Sequence, residues 1–490
     1  MVYPRYPDTF WSFKHALKFV SKKAAFPPLG LLTVAAMLPE TWTKKLIDMN
    51  VERLNDSDIE WADYVFISAM SVQTKSVHDV IARCREAGTK IVAGGPLFTT
   101  GHHEFEGVDH FVLGEAEVNL APFIADLEKG QAKPLYESNE RPDISRTPVP
   151  MWSLINMKNY SSMNIQYSRG CPFDCEFCDI VLLNGHLPRT KSKEQFIAEF
   201  DALYTHGWRG GVFVVDDNFI GNKKKLKAEI LPAIIEWGKT VKYPFALNTE
   251  ASINLADDED LMRLMVEAGF DVVFIGIETP NEESLVECAK YQNQNRSLVD
   301  SVKKLQQFGM EVQGGFIVGF DSDPESIFQA QIDFIQKSGI VTAMVGLLNA
   351  PTGTKLYHRL KSEGRLTNSF TGNNTDYSLN FIPKMDTGKL TTGYKTILET
   401  IYSPKRYYER IRTFFAEYKP PRTKPGKVHT HQIVAFFRSM WYLGIKDAGR
   451  RHYWNLFVTY LVQSPPKFAR FILLSIYGYH FRKVAFTESW

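Results

Sequence analysis

The residues of this 490-residue chain best suited to chemistry are Cys171, Cys175 and Cys178, which fall in the run SRGCPFDCEFCDI. A C-x3-C-x2-C spacing puts three thiolates on one loop. They can hold three irons of a [4Fe–4S] cluster and leave the fourth open to the amino and carboxylate groups of S-adenosylmethionine (SAM). An electron from such a cluster cleaves SAM to a 5′-deoxyadenosyl radical, while the protein supplies orientation and excludes water. Phe177, just before the last cysteine, is suited to cover the cluster and touch adenine. The alternatives are zinc or unrelated structural thiols. Zinc generally takes four ligands in two pairs. The remaining cysteines, Cys84 and Cys288, stand alone on helical sequence and read as small core residues.

The elements that must position these thiols are short apolar runs separated by helical patterns. The cysteine loop follows the candidate strand Asn164–Ser168, and further strands are expected at Gly211–Val215, Pro244–Asn248, Val272–Ile277, Val312–Val318 and Thr342–Leu348. Such a βα series fits a partial, TIM-like (β/α)6 barrel with ligands at the C-terminal strand ends. Upstream come a strand ending at Asp48, the strand Tyr64–Ser68, a helix around His78–Ala87, the strand Lys90–Ala93 closed by Gly94-Gly95-Pro96, and a short strand ending at Gly114-Glu115. This alternation predicts a doubly wound, Rossmann-like parallel sheet over residues 1–130. Met1–Pro4 reads as the end of a first strand, one that is unusually short or lacks its beginning. Residues 131–160, rich in Pro and polar residues, read as a linker, 161–384 as the barrel, and 385–490 as a helical domain with a Pro/basic break at Lys419–Lys427.

The alternation makes the fold class α/β, and the composition, 44% hydrophobic and 23% charged, is that of a globular protein, which excludes disorder. Five cysteines with three clustered make no disulfide framework, and reduced thiols point to the cytoplasm. The N-terminus has no secretory pattern, and no uncharged apolar run is long enough to span a bilayer. Residues 401–490 carry 16 Lys and Arg against 4 Asp and Glu, a charge of +12 that leaves −10 on the rest of the chain. That separation suggests an anionic partner for the tail.

With its cluster run, Pro27-Pro28-Leu29-Gly30, Gly94-Gly95-Pro96, Gly114-Glu115-Ala116-Glu117, Asp216-Asp217-Asn218-Phe219 and Gly276-Ile277-Glu278-Thr279, the chain resembles radical SAM enzymes with an N-terminal cobalamin-binding domain. The resemblance covers nearly the whole chain. It implies a [4Fe–4S] cluster on the three cysteines, SAM, cobalamin and an external electron donor of the flavodoxin or ferredoxin type. It places Asp216 and Asp217 near the SAM amino end and makes Glu250 and Glu278 candidates for its amino or ribose hydroxyl groups. Gly314, Gly315 and Gly319 would let backbone approach adenine or methionine. Each carboxylate could instead be a helix cap or surface charge. For the corrinoid, the resemblance implies the Ser68–Gln73 loop, Gly94 and Gly95, and Gly114 and Glu115, all at parallel strand ends. The Asp-x-His-x-x-Gly pattern that puts imidazole under cobalt is missing: Asp48-Met49-Asn50-Val51-Glu52-Arg53 holds no histidine.

The tail interleaves aromatic and basic residues, as in YYERIRTFF and RRHYWNLFVTYLV. Such stretches can lie in a bilayer interface or simply pack on the barrel. No nucleic-acid module accompanies the charge. The tail, the opening VYPRYPDTFWSFKHA and FPPLGLLTVAAMLP look most like the group containing the hopanoid C-2 methylase. That resemblance implies methylation of an unactivated carbon of a polycyclic lipid: the deoxyadenosyl radical takes hydrogen, methylcobalamin gives methyl, and a second SAM restores the methyl carrier. Peripheral contact with a membrane through the tail goes with it. Cyclisation or rearrangement on the same architecture, and a non-catalytic corrinoid or cluster sensor, are the competing readings. A methylthiotransferase would need three more cluster cysteines before residue 170, where only Cys84 stands.

Overall fold

Two parallel six-stranded sheets organise the computed structural model, which describes residues 1–367, 370–373, 375–420 and 430–487. The first sheet comprises β1 (Val2–Tyr3), β2 (Ile47–Asp48), β3 (Tyr64–Ser68), β4 (Lys90–Gly94), β5 (His110–Val112) and β6 (Leu135–Tyr136), in the order β2-β1-β3-β4-β5-β6. The order reverses between β1 and β3, so the ligand crevice of a doubly wound sheet opens there. Val65, Phe66 and Ile67 of β3 are buried, as are Ile91, Val92 and Ala93 of β4, because helices cover both faces. One of those helices, Thr74–Ala87, buries Val77, Val80, Ile81 and Cys84 at helical spacing and stops at Gly88, whose φ of 73° is left-handed. β6 lies within the segment read as linker. Phe111 N–H bonds to Pro134 O at 2.8 Å and carries the sheet one strand further.

The second sheet runs β7 (Ser162–Ile165), β10 (Gly211–Val214), β11 (Ala246–Ala251), β12 (Phe270–Glu278), β13 (Glu311–Val318) and β14 (Ala343–Leu347), in sequential order from β7 to β14. The strand expected to lead straight into the cysteines ends early, at Ile165. The chain then forms β8 (Ser168–Arg169), which pairs antiparallel with β9 (Arg189–Thr190) and closes the base of the cysteine loop. Alternate β11 residues Leu247, Thr249 and Ala251 are buried under the helices, so Asn248 and Glu250 face the barrel lumen.

Residues 10–37 pack largely away from the first sheet's core, which only Val34 and Met37 of this segment join. Phe10, Ala16, Phe19, Leu31 and Leu32 join the core of the barrel and the C-terminal helices. Trp11 meets Phe274 of β12 with ring centroids 5.3 Å apart, and Phe26 meets Phe213 of β10 at 5.5 Å. The segment after β1 thus supplies aromatic side chains to the barrel.

The C-terminal helices 387–402, 404–417, 430–441, 450–463 and 465–487 pack outside β14 and under the barrel. Tyr394 and Tyr402 donate their hydroxyls to Val345 O and Ala343 O at 3.1 and 2.6 Å. The Arg410 guanidinium, fully buried, donates to Ile401 O, Val341 O and Gln336 Oε1. Arg470 pairs with Asp271 and Glu311 at the starts of β12 and β13, 2.5 and 3.0 Å away. Much of the tail's basic and aromatic content is therefore internal packing. Most of the expected break at Lys419–Lys427 lies outside the described residues.

Candidate active site

The three cysteines sit half-buried on the loop between β8 and β9, each a free thiol. Gly170 starts that loop at φ 96°, and a Cβ there would stand 2.8 Å from Leu187 O and 2.9 Å from Gly185 O, so only glycine fits. Cys171 N–H bonds to Gly185 O, and Cys178 N–H to Cys175 O, both at 3.1 Å. Burial raises the pKa of all three thiols, most of all at Cys178. The thiolate form then depends on a partner cation, which cluster iron supplies. Three free thiols on one loop with a buried cation nearby fit a [4Fe–4S] cluster. That cation is Lys290: burial opposes its charge, but Glu278, 2.7 Å away, and the neighbouring cysteines hold its pKa above the usual lysine value.

The carboxylates expected around SAM divide into two kinds. Asp216 is 1% exposed, and both its oxygens are taken, accepting from Tyr167 N–H at 2.7 Å and Ser168 Oγ–H at 2.6 Å. Asp217 accepts from Gly170 N–H at 2.8 Å and Asn184 Nδ2 at 2.9 Å. Both side chains brace the two ends of the cysteine loop. Glu250 is different. It faces the lumen, and burial together with the charges of Asp217 and Asp216 lifts its carboxyl to about 7. A cationic amino group placed there would restore its charge. Glu278 follows a β-bulge at φ 62° and is held by Lys290. Gly276 makes room for that pair, since a Cβ would lie 2.3 Å from Glu278 Oε1.

Phe177 packs toward the β13–β14 end of the barrel, its ring 6.3 Å from Phe320. Gly315 lies against Phe274, and Gly314 is buried beside Ile340. Gly319 N–H is held by Asp323 at 2.9 Å.

At the C-terminal edge of the first sheet the surface is mostly backbone. Gly95 has φ 87°, and a Cβ there would lie 2.4 Å from Ser68 Oγ; one on Gly94 would lie 2.6 Å from Val112 O. Thr99 links these turns, donating to Gly95 O and accepting from Gly114 N–H at 3.0 Å. Gln73 is buried and structural: it donates to Pro4 O and accepts from Met70 N–H, pinning the β1 end to the β3 loop. Asp48 ends the edge strand β2 and accepts from Tyr160 Oη–H at 3.0 Å. The strand at the crevice is β1, and the loop after it, Pro4–Asp8, also lacks histidine. A cradle of turns with no imidazole fits a corrinoid held through its periphery and tail.

Glu115 does not stand free at this edge. Its carboxylate binds Arg169 at 2.8 Å and Arg189 at 2.7 Å, and Glu117 binds Arg169 at 2.9 Å. These buried pairs, with Gln166 on Arg169 Nε, bolt the first sheet to β8 and β9 at the root of the cysteine loop. Against the cost of burial, the Arg169 contacts hold the Glu117 carboxyl down at about 2. Arg169, Arg189, Lys290, Tyr160 and Trp11 were not among the expected site residues. Only Arg169 carried a sequence signal, its place two positions before Cys171.

Comparison with known proteins agrees with this arrangement. The chain matches the radical SAM superfamily over residues 165–335, a B12 binding domain over 20–123, and a domain of unknown function, DUF4070, over 354–488. It is 40% identical over 489 residues to the uncharacterized methyltransferase sll1242 of Synechocystis, covering 98% of this chain and 90% of the relative. It is 32% identical over 475 residues to the hopanoid C-2 methylase of Rhodopseudomonas palustris, covering 94% and 89%. Among solved structures, the fold matches the radical SAM methyltransferase TsrM of Kitasatospora setae with cobalamin and [4Fe–4S] cluster bound, at a TM-score of 0.60 and 13% identity over 92% of this chain and 96% of that one. It also matches the cobalamin-dependent SAM radical enzyme OxsB with aqua-cobalamin and SAM bound, at a TM-score of 0.60 and 16% identity over 90% and 73%.

Proposed function

Because this chain belongs to the cobalamin-dependent radical SAM methyltransferases, we propose that it methylates an unactivated carbon of a hydrophobic, hopanoid-like polycyclic lipid. When bound, the cluster, SAM and cobalamin supply hydrogen abstraction and the methyl donor. The protein's residues hold and separate them. Cys171, Cys175 and Cys178 ligate the cluster, with Asp216 and Asp217 fixing the loop that carries them. Glu250 and Glu278 take the SAM amino and ribose groups, Phe177 takes adenine, and Gly315 and Gly319 admit its flank. The turns at Ser68, Gly94, Gly95 and Gly114 cradle the corrinoid, with Gln73 and Glu115 supporting them from behind.

The observation that supports the substrate class is the aromatic wall of the barrel. Trp11, Phe26, Phe213, Phe274 and Met344 are only half-buried, with Trp11 against Phe274 and Phe26 against Phe213, and such side chains offer a polar substrate no partners for its own polar groups. A fused-ring hydrocarbon buries against such rings at about 25 cal/mol per Å² of apolar surface. The 32% identity to a hopanoid C-2 methylase supports the same class. Peripheral contact with a membrane through the C-terminal helices, and an external flavodoxin- or ferredoxin-type electron donor, complete the reading.

The test is anaerobic incubation of the reconstituted enzyme with SAM, cobalamin, a reductant and a detergent-dispersed hopanoid. The expected product is heavier by one methyl group in place of hydrogen. S-Adenosylmethionine cleavage with no methylated hopanoid would overturn the substrate assignment and leave the enzyme class intact.

A further inference from the structure

Helix 430–441 and the turn that extends it through Lys446 present an apolar stripe at a four-residue spacing. Ile433, Phe437, Trp441 and Ile445 stand 48%, 62%, 52% and 56% exposed. In a buried helix such a stripe would face the core. Here the core-facing positions are others: Ala435, Ser439 and Leu443 are buried, and Phe436 packs on Phe457. Helix 450–463 runs back alongside, Trp454 donating to Gly444 O, and exposes Val458, Leu461 and Val462. Exposed apolar residues thus line two neighbouring antiparallel helices.

Charge around the stripe has one sign. Between residues 430 and 487 the sequence has one acidic residue, Asp447, and Arg482 neutralises it at 3.0 Å. Lys446, Arg450, Arg451 and Lys483 are exposed, and Lys446 lies over the Trp441 and Tyr442 rings. An aromatic stripe ending in lysine and arginine matches the chemistry of a bilayer interface, with rings in the headgroup layer and cations on anionic lipid. No helix among the described residues is long and apolar enough to cross a membrane.

The same helices touch the segment that reaches the lumen. Arg438 donates to Lys18 O and Ser21 Oγ, and Tyr442 packs on Phe19 at 5.4 Å. Helix Lys14–Val20 continues from Trp11, whose ring stands in the barrel.

We propose that Ile433, Phe437, Trp441 and Ile445, with Val458, Leu461 and Val462, form the surface by which the enzyme lies on an anionic phospholipid bilayer. This deepens the lipid-substrate reading and rests on it for its purpose, but its test does not need the substrate. Full-length, cluster-loaded protein is sedimented with vesicles of phosphatidylglycerol and phosphatidylethanolamine, and with vesicles of phosphatidylcholine alone. Binding is expected to favour the anionic vesicles and to weaken with salt. Phe437→Ser/Trp441→Ser/Ile445→Ser should lower vesicle partitioning by about tenfold or more. Lys446→Glu/Arg450→Glu/Arg451→Glu should remove the preference for anionic lipid. Both variants should keep the cluster absorbance and substrate-free SAM cleavage of the parent, which shows them folded. Equal partitioning of parent and apolar variant would overturn the proposal. So would a parent dimer in light scattering that the variant converts to monomer, since the stripe would then be an interface between copies. Vesicle binding with no hopanoid methylation would overturn the substrate reading alone.

Discussion

The C-terminal edges of the two sheets are built from opposite materials. The barrel edge is built from ionisable groups: three thiols, Lys290 paired with Glu278, and the carboxyls of Asp216, Asp217 and Glu250, whose pKa values burial raises. The first sheet's edge is built from absence of side chain, with Gly94 and Gly95 approached by Val112 O and Ser68 Oγ. Charge suits a site that must hold a metal cluster and a sulfonium amino acid. Bare backbone suits a large corrinoid that needs close approach and few contacts with charge. Between the edges, Arg169 and Arg189 with Glu115 and Glu117 fix their separation.

The comparison breaks most sharply at Cys175. Cys175→Ala should abolish both the visible absorbance of the iron–sulfur cluster and formation of 5′-deoxyadenosine, while cobalamin retention survives. Survival of cluster and cleavage together would refute the ligand assignment. The converse variant is Gly95→Ala. Its left-handed φ and the 2.4 Å approach to Ser68 Oγ impose strain of about 1–3 kcal/mol. Cobalamin retained on gel filtration should fall about tenfold or more, with SAM cleavage intact. Loss of both functions would mean that the edges are not separable.

Glu250 sharpens the barrel side. Its carboxyl, lifted to about 7, binds more protons in the folded state than unfolded, so its ionisation opposes stability as pH rises from about 4 to 7. SAM's amino group should favour the ionised form. Affinity for SAM, followed by equilibrium dialysis, is expected to rise by up to about tenfold per pH unit below 7 and to level off above it. Glu250→Gln should flatten that profile; an unchanged profile would remove Glu250 from the site.

The smallest effect is expected at the bolt between the sheets. Glu117→Gln keeps the shape but not the charge, costing about 1–3 kcal/mol of stability. Its depressed pKa means the pairing is complete above the ordinary glutamate value of about 4 and is lost only as pH falls toward 2. The diagnostic readout is the ratio of deoxyadenosine to methylated product, expected to rise as the two edges lose register. A lowered melting temperature with an unchanged ratio would make the network structural only.

The cluster ligands were legible because three cysteines within one loop have few other uses, and the barrel strands because runs such as VVFIGI and GGFIV are apolar on both faces. Several elements had no local signal. Leu135–Tyr136 is a two-residue strand whose pairing is set by its neighbours, whereas the equally short Val2–Tyr3 had been read from Met1–Pro4. Trp11 and Phe26 precede most of the first sheet in sequence and pack in the other domain, a choice that aromatic content alone does not make. Asp216 looks like a ligand in FVVDDNF, yet it is spent on Tyr167 and Ser168, 49 and 48 residues away. The tail divides similarly. Tyr407, Tyr453 and Phe471 are core while Phe437 and Trp441 are not, and composition cannot separate them.

The central claim is that charged and glycine-lined edges act in one turnover. Anaerobic turnover with SAM deuterated in its methyl group, in the presence of a hopanoid, tests it most directly. Deuterated methyl on the product, with S-adenosylhomocysteine and 5′-deoxyadenosine formed in equal amounts, is the expected result. Deoxyadenosine formed without S-adenosylhomocysteine or methylated product would mean that only the barrel edge takes part, and would contradict the account.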